Sequence, residues 1–401
     1  MGRARISPLR VGWRFGSYEL DVGRREFRAA GVVRPLQPQV FAVLAYLVRH
    51  RDHVVSKDEL LRELWPDAIV TDASLQRAVS LARRALRPAD RGLLRTHARH
   101  GYRFVGEVTG ADPDSIDSAA GERPSYLRRG DVHIAYRVVG DGPVDVVLVL
   151  GWSLRMRSAI ELAGAAEIVR ALSHRGRVVM FDKRGTGASD RVKALPRLPE
   201  RVDDVVALLD AVGSPGAVLV GFSEGGPMAL TLAATCPARV RGLALVGAFA
   251  RLAAAPDHPD GWTETEIATL RNYVQRGWGA GATIRALVPE RHLTDAVRSW
   301  AARAEEEGAS PGAALDLFEM NLDIDVRPLL PRVQAPTVVL HAAGDRVVRV
   351  GNGRALAQAI PGARLVEVPG DDHAFLFSGR PRLLREILAL VDGARRSRAI
   401  T

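Results

Sequence analysis

From residue 127 to the C-terminus, short apolar runs alternate with segments of helical periodicity, and this alternation restricts the folds open to the chain. Strands that alternate with helices are typical of a doubly wound, mostly parallel sheet with helices on both faces. The runs predicted as strands are residues 133–138, 144–150, 178–181, 217–221, 242–246, 337–341 and 364–367. The pattern therefore predicts an α/β domain over residues 127–396.

A G-x-S-x-G motif follows the run that ends at Gly221. It reads Gly221-Phe222-Ser223-Glu224-Gly225 and leads into a helical segment at residues 227–234. A serine on a sharp turn from strand to helix lies at the helix N-terminus, and the neighbouring glycines allow the strained backbone of such a turn. Ser223 is therefore the predicted nucleophile.

The partners that a nucleophilic serine requires come later in the chain. A serine hydroxyl needs a base to remove its proton, and a histidine serves as that base when a carboxylate orients it. Asp345 follows the strand at 337–341 and His373 follows the strand at 364–367, which gives the chain order Ser, Asp, His. We therefore predict Ser223, Asp345 and His373 as the catalytic residues.

Two details of this predicted site leave alternatives. Asp371 and Asp372 are other candidates for the acid, although their adjacency to His373 makes the required geometry awkward. An oxyanion hole needs two backbone N–H groups, one from the residue after the nucleophile and one from the loop after the strand at 144–150. Glu224 and Trp152 are the predicted donors.

The basic charge of the chain is concentrated in its first quarter. Residues 1–110 hold 20 Lys/Arg and 11 Asp/Glu, whereas residues 111–401 hold 36 and 35. Such asymmetry favours contact of the N-terminal segment with a polyanion such as nucleic acid, and a merely solvated basic face is the alternative. The small, polar stretch at residues 109–126 is the predicted linker between the two parts.

The N-terminal segment reads as strands, three helices and a hairpin. Strands are predicted at 18–22 and 26–30, and helical spacing of apolar residues predicts a buried face over 40–48. Ser56 and Glu59 form a predicted capping box that opens a second helix. A third helix, capped by Thr71 or Asp72, buries Leu75, Val79, Ala82 and Leu86 and turns Gln76, Arg77, Ser80, Arg83, Arg84 and Arg87 outward. Strands at 93–96 and 102–105 flank a basic hairpin tip.

Three stretches of this segment, VVSKDELLRELWPD, SLQRAVSLARRAL and LLRTHARHGYRF, resemble the winged helix-turn-helix effector domain of OmpR/PhoB-type transcription regulators over residues 14–108. The resemblance implies an α+β domain whose third helix enters the major groove of double-stranded DNA and whose wing reaches the minor groove. The contacts that it implies are Arg77, Ser80, Arg84 and Arg87 on the helix and Arg99, His100 and Arg103 in the wing.

The C-terminal part also resembles a known family. GDVHIAYRVVGDGP, FDKRGTGASDR, GFSEGGPMAL and MNLDIDVRPLLP are similar to the α/β-hydrolase modules attached to adenylate/guanylate cyclases and to bacterial regulators. This resemblance implies an α/β-hydrolase fold with an inserted helical cap at about residues 251–332. Trp262, Trp278 and Trp300 of this cap either line an apolar pocket or form the core of the cap.

Other features restrict cofactors and location. Cys236 is the single cysteine, so the chain has no internal disulfide, and the sequence offers no Cys/His cluster of a structural zinc site. We predict neither a metal nor another cofactor. The longest apolar runs fall far below the roughly 18 residues that span a bilayer, and no signal peptide is predicted. These observations favour a cytoplasmic protein without a membrane anchor.

Together these features predict a one-component, DNA-binding transcription regulator whose second domain binds a small ester- or lactone-like molecule. Dimerisation is expected, because one winged helix contacts few base pairs. Three accounts of the second domain remain: a working serine hydrolase, a catalytically silent receptor that controls DNA binding, and an esterase with an accessory DNA-binding module.

Overall fold

The computed structural model describes residues 13–21, 25–51, 53–65, 72–98, 100–108, 123–161, 163–193, 197–373 and 380–398. The chain forms two units that separate after residue 121. Within the described ranges, every helix is too short or too polar to cross a membrane.

The N-terminal unit opens with a small antiparallel sheet, and its strands pair in chain order. The strands are β1 (Trp13–Phe15), β2 (Tyr18–Asp21), β3 (Glu26–Ala29) and β4 (Val32–Arg34). Three helices follow, α1 (Pro38–Arg49), α2 (Lys57–Leu64) and α3 (Asp72–Ala85). The unit ends in a hairpin of β5 (Leu94–His97) and β6 (Gly101–Phe104). This order matches the α+β arrangement predicted from the sequence.

The helices of this unit pack through the apolar faces that the sequence predicts. Leu44 and Leu47 of α1 and Leu75 and Val79 of α3 are all buried in one core. Ser56 caps α2 by accepting a hydrogen bond from Glu59 N at 3.1 Å. The Glu59 carboxylate accepts a bond from the Tyr46 hydroxyl at 3.0 Å, so the structure shows the Ser56 half of the predicted capping box.

Gly101 allows the hairpin to pair with the chain before α2. Val55 and Tyr102 exchange two backbone hydrogen bonds of 2.9 Å. Gly101 has φ +143°, and a Cβ atom there would overlap the carbonyl oxygen of Val55. Only glycine satisfies both conditions at this first residue of β6.

The C-terminal unit contains an eight-stranded sheet in the order β14-β13-β12-β11-β9-β10-β8-β7. The strands are β7 (Ser125–Arg129), β8 (Val132–Val139), β9 (Asp145–Val149), β10 (Arg177–Phe181), β11 (Ala217–Phe222), β12 (Val240–Val246), β13 (Thr337–Ala342) and β14 (Arg364–Val368). β7 and β8 are antiparallel to their neighbours, and the other pairs are parallel. The central strands are buried on both faces, which explains their continuous apolar sequences.

The first strand of this sheet differs from the prediction. β7 begins at Ser125, so the sheet starts inside the stretch predicted as a linker over 109–126. Tyr126 is exposed and Arg128 and Arg129 follow it. An edge strand of this composition carries no continuous apolar run, which is why the sequence pattern does not reveal it.

Helices cover the faces of the sheet. They are α4 (Met156–Glu161), α5 (Ala163–Ser173), α6 (Leu198–Ala211), α7 (Gly225–Thr235), α12 (Val350–Ala359) and α13 (Arg380–Arg398). Between β12 and β13 the chain leaves the sheet and forms α8 (Glu264–Gly277), α9 (Ile284–Leu287), α10 (Asp295–Gly308) and α11 (Pro311–Leu322). These four helices lie within residues 251–332, the segment predicted as the cap.

Candidate active site

Ser223 lies on the sharp turn between β11 and α7. Its φ of +51° is in the left-handed region, which a residue other than glycine seldom adopts. The turn is held by hydrogen bonds of 2.9 Å from Ser223 N to Val246 O and from Gly226 N to Ser223 O. A Cβ atom on Gly225 would overlap the carbonyl oxygen of Val149, so the glycine lets the turn lie against the end of β9. The motif thus presents the serine at the carboxyl edge of the sheet.

His373 and Asp345 form a buried pair near the same edge. His373 Nδ1 lies 2.7 Å from Asp345 Oδ2. The other carboxylate oxygen accepts hydrogen bonds from Val347 N at 2.9 Å and Val348 N at 3.0 Å, which fixes the orientation of Asp345. Burial would raise the pKa of Asp345, but His373 and these bonds hold that pKa below its usual value. The carboxylate is therefore ionised beside the imidazole.

The alternative acids are arranged differently. Asp371 binds the guanidinium of Arg291, with Oδ2 3.0 Å from Nη1. Asp372 is fully buried, but the nitrogen Nδ1 of His373 is bound to Asp345. Within the described part of the chain, His373 Nε2 has no hydrogen-bond partner, which leaves this nitrogen available to a group inside the cavity.

Ser223 and His373 border one cavity of about 250 Å³ beneath the cap. Its wall is mostly apolar and includes Leu150, Trp152, Phe249, Leu252, Trp262, Ile284, Trp300 and Phe318. Trp262 and Trp300 thus line the pocket, and their indole N–H groups donate to Val347 O and Ser158 O. Trp278 packs edge-on against Trp152 with ring centroids 5.3 Å apart. Trp262 and Trp300 therefore line the apolar pocket, whereas Trp278 packs within the core of the cap.

The loop after β9 lies directly against the nucleophile. A Cβ atom on Gly151 would be 3.2 Å from Ser223 Cβ, so only a residue without a side chain fits without a shift. Trp152 follows in this loop, and Glu224 follows Ser223; both residues border the cavity. Glu224 and the loop that carries Trp152 thus lie beside Ser223, and Glu224 and Trp152 stay the predicted oxyanion donors.

The side chain of Glu224 belongs to a buried ion cluster that no sequence motif predicts. Lys183 Nζ binds one carboxylate oxygen of Glu224, and Arg201 Nη2 lies 2.6 Å from the other. Lys183 Nζ also donates to Leu150 O at 3.0 Å. The cluster thus ties the turn after Ser223 to the loop after β9. The feature of the sequence that could have indicated the cluster is Glu224, a carboxylate within a buried turn, because a buried carboxylate requires a cation nearby.

The charges in this cluster depend on one another. Burial would raise the pKa of Glu224, but Arg201 and Lys183 hold it below its usual value. Burial lowers the pKa of Lys183 to about 8. Removal of one partner from such a cluster leaves a buried charge without full compensation, which costs more than the cluster contributes when intact.

We expect Lys183→Met to lower the free energy of unfolding by about 3 kcal/mol, because Glu224 would retain only Arg201 as a counter-charge. Urea unfolding at pH 7 measures this change. Lys193→Met is the matched control, since Lys193 is exposed and its replacement should stay within about 0.5 kcal/mol of the original. Equal effects of the two substitutions would show that the cluster contributes nothing to stability.

Most of the predicted DNA contacts on the third helix are exposed. Arg77, Ser80 and Arg84 of α3 face solvent. Arg87 lies two residues beyond the end of α3 rather than on it, and its guanidinium binds the Ser17 hydroxyl. Arg83 is also one of the residues predicted to face outward from this helix. Its Nε donates to Leu94 O at 2.9 Å and so connects α3 to β5.

The predicted wing residues differ in their surroundings. His100 is exposed between β5 and β6. Arg103 is half-buried, and its Nε donates to Arg51 O at 3.0 Å. Arg99 lies outside the described residues. The exposed residues of this surface are therefore Arg77, Ser80, Arg84, Arg87 and His100, and Arg87 is the one of them that is held by Ser17.

One further group of polar side chains gathers in this unit. Ligand atoms of His50, His53 and Glu59 lie within 4.8 Å of one another. Zinc ligands bind at about 2.0–2.2 Å from the ion, so these side chains would have to approach one another to hold one. Glu59 is already bound to Tyr46, and the arrangement indicates packing at the end of α1.

Two family models match the chain. The family described as transcriptional regulatory protein, C terminal, matches residues 32–104, and the family described as alpha/beta hydrolase fold matches residues 161–379. The first match covers the N-terminal helices and hairpin. The second covers the strands and the turn that carry Ser223, Asp345 and His373.

Individual proteins are similar to the C-terminal unit. RutD of Azorhizobium caulinodans, named as a carbamate hydrolase, is 30% identical over 62% of this chain and 91% of that protein. The pimeloyl-acyl-carrier-protein methyl ester esterase of Chromobacterium violaceum is 30% identical over 64% of this chain and 97% of that protein. The solved structure of Est816, described as an N-acyl homoserine lactone degrading enzyme, has 26% identity and a TM-score of 0.54 over 66% of this chain and 99% of Est816.

The strands β10 to β14, the turn at Ser223 and the helices inserted after β12 all lie within the residues that the alpha/beta hydrolase model matches. The chain therefore belongs to the alpha/beta hydrolase fold family and carries, before that domain, a DNA-binding domain of the transcriptional regulatory protein type.

Proposed function

We propose that the C-terminal domain hydrolyses a small neutral ester or lactone through Ser223, His373 and Asp345, and that occupancy of its cavity controls DNA binding by the N-terminal domain. The observation that carries the first half is the 2.7 Å pair of His373 and Asp345, with Nε2 of the histidine left free beside the cavity of Ser223. The relatives named as esterases and as a lactone-degrading enzyme support the bond class.

In this mechanism His373 Nε2 removes the proton of Ser223 as the hydroxyl oxygen attacks the carbonyl carbon of the ligand. The ionised Asp345 stabilises the imidazolium that forms and holds its Nδ1–H. The backbone N–H groups of Glu224 and Trp152 bind the oxyanion of the tetrahedral intermediate. His373 then protonates the leaving alkoxide, and it later activates the water that cleaves the acyl-enzyme.

The ion cluster under the site has a positioning role in this mechanism. Glu224 and the loop that begins at Leu150 supply the two oxyanion donors, and Lys183 bonds to both. An oxyanion hole works only when its donors are fixed before the charge develops, and misplacement by about 1 Å costs rate. The cluster is thus suited to hold the two donor N–H groups at fixed positions relative to each other.

The nature of the cavity wall indicates the kind of ligand. Two carboxylates border the cavity, Glu224 and Glu305, and each is already bound within the protein. A charged ligand would find no free counter-charge among the described lining residues, whereas a neutral apolar one would bury its surface against tryptophan and aliphatic side chains. We therefore infer a neutral ligand.

The regulatory half of the proposal follows from the basic domain in the same chain. Arg77 and Arg84 project from α3 to solvent and are suited to phosphate oxygens and guanine edges. We infer a homodimer on double-stranded DNA in the cytoplasm, because a second winged helix raises affinity through effective concentration. Selection of bound fragments from random DNA tests this half: enrichment of one sequence supports it, and no enrichment contradicts it.

A catalytically silent receptor is the second candidate, because the cavity is lined mostly by apolar side chains and its domain follows a DNA-binding domain in the same chain. The two candidates separate in one experiment. If turnover removes the signal, Ser223→Ala should prolong the effect of a ligand on DNA binding. If the domain is a receptor alone, the substitution should leave the duration of the response unchanged.

A further inference from the structure

One buried carboxamide borders the cavity and has no part in the proposed mechanism. Asn321 lies near the end of α11, is 3% exposed, and borders the cavity together with Ser223 and His373. Its Oδ1 has no hydrogen-bond partner among the described residues. A polar group of this kind is costly to bury without a partner, so its presence needs a physical reason.

The two carboxylates on the same wall are already bound within the protein. Glu305 accepts hydrogen bonds from the Tyr273 hydroxyl at 2.7 Å, from Gly279 N and Gly281 N at 2.9 Å each, and from Thr283. Glu224 is held by two cations. Asn321 therefore differs from these groups, because its carboxamide can still bind something that enters the cavity.

The chemistry of a carboxamide limits what it would bind. It offers an acceptor and two donors, carries no charge, and can turn about its terminal bond to present either end. A neutral amide or hydroxyl is its natural partner. An ionised group would lack a counter-charge in this apolar cavity.

We propose that Asn321 is a specificity-determining residue that hydrogen-bonds a second neutral polar group of the ligand. On this view, which rests on the proposed function, the ligand is an ester or lactone with an amide or hydroxyl in an otherwise apolar body. A purely aliphatic ester would fill the cavity but leave the carboxamide without a partner, and a site of this kind discriminates strongly against such an analogue.

Matched esters test the proposal. The p-nitrophenyl esters of N-acetyl-β-alanine and N-acetyl-4-aminobutyrate are compared with p-nitrophenyl hexanoate and heptanoate, which have acyl chains of the same length. We expect kcat/KM to favour at least one amide ester over its aliphatic match, and Asn321→Leu to reduce that preference by about 10- to 100-fold. The same preference in both proteins would overturn the proposal.

Protein without hydrolytic activity gives a separate readout. If no ester is cleaved, the proposed hydrolysis fails, and binding of N-acetyl-β-alanine ethyl ester and ethyl hexanoate is measured by calorimetry instead. A preference for the amide that Asn321→Leu abolishes sustains the role of Asn321. Equal binding of both esters to the unmodified protein contradicts it.

Thermal stability separates recognition from structure. Asn352 is a buried asparagine whose Oδ1 also lacks a partner among the described residues, but whose Nδ2 donates to Asp260 O at 3.0 Å and to Arg349 O at 3.2 Å. Asn352→Leu removes these two bonds and should therefore lower Tm. Asn321→Leu should leave Tm unchanged or raise it, because it removes a buried polar group that lacks a partner. A fall in Tm as large as that of Asn352→Leu, with the ester preference retained, would assign Asn321 a structural role and overturn the proposal.

Discussion

Ser223→Ala should reduce kcat for hydrolysis of p-nitrophenyl butyrate by about 10⁴- to 10⁶-fold. The hydroxyl is the atom that forms the acyl-enzyme, and neither His373 nor the backbone donors can replace it. The residual rate would come from substrate binding and from the oxyanion hole, because both also accelerate direct attack of water on the ester. Release of p-nitrophenolate at 25 °C measures the change. The enzyme concentration is set so that the catalysed rate exceeds the rate of spontaneous ester hydrolysis.

Two observations make this result interpretable. Ser125→Ala replaces an exposed serine of β7 and should leave kcat unchanged. Equal Tm values of the Ser223→Ala and unmodified proteins would show that the fold is intact. Activity of the Ser223→Ala protein within tenfold of the original would mean that another group performs the reaction, and the assignment of Ser223 would be wrong.

Arg77→Ala combined with Arg84→Ala should weaken binding to a selected DNA duplex by about 2–6 kcal/mol, since an arginine that contacts bases or phosphates contributes about 1–3 kcal/mol. Both side chains are exposed on one helix and carry positive charge toward solvent. Loss of phosphate contacts should also reduce the slope of log affinity against log salt by about one per contact. Fluorescence anisotropy over a series of salt concentrations gives both quantities.

A control must remove the same charge from elsewhere in the domain. Arg34 of β4 and Arg91 of the 3-10 helix Pro88–Leu93 are exposed, so their joint replacement by alanine removes two positive charges without touching α3. If this control weakens binding as much as the α3 double variant, net charge rather than α3 drives the association, and the α3 contacts would be wrong.

The sequence predicts those parts of the fold that depend on local apolar pattern. The central strands β9, β11 and β12 are buried on both faces, so each contains an unbroken apolar run, at residues 146–149, 217–222 and 242–246. The edge strand β7 has polar and charged residues toward solvent, and its pairing with β8 is a tertiary event without a local signal. Periodicity alone therefore cannot define where the sheet begins.

The candidate site divides in the same way. Ser223, Asp345 and His373 each follow a strand, so chain order and the G-x-S-x-G turn place them at one edge of the sheet before any distance is known. The Lys183, Arg201 and Glu224 cluster joins three distant segments, and only folding brings them together. Asn321 likewise has no motif of its own; its distinction is a buried carboxamide oxygen without a partner in a residue that borders the cavity.

The predicted DNA contacts show that packing gives identical side chains different surroundings. The pattern turns Arg83, Arg84 and Arg87 outward together, yet Arg83 is bound to β5 and Arg87 to Ser17. Helical periodicity gives the direction of a side chain but not which neighbours lie within its reach. Arg84 and Arg87 both remain exposed, but the guanidinium of Arg87 is held by Ser17.

Reaction with a fluorophosphonate probe, followed by peptide mass spectrometry, tests the central claim most directly. The probe forms a stable adduct only with a serine whose proton is removed by a neighbouring base. The account predicts one adduct per chain, on Ser223, that disappears in Ser223→Ala and in His373→Ala while both variants stay folded. A folded, unmodified protein that forms no adduct, or one that is labelled at another residue, would contradict it.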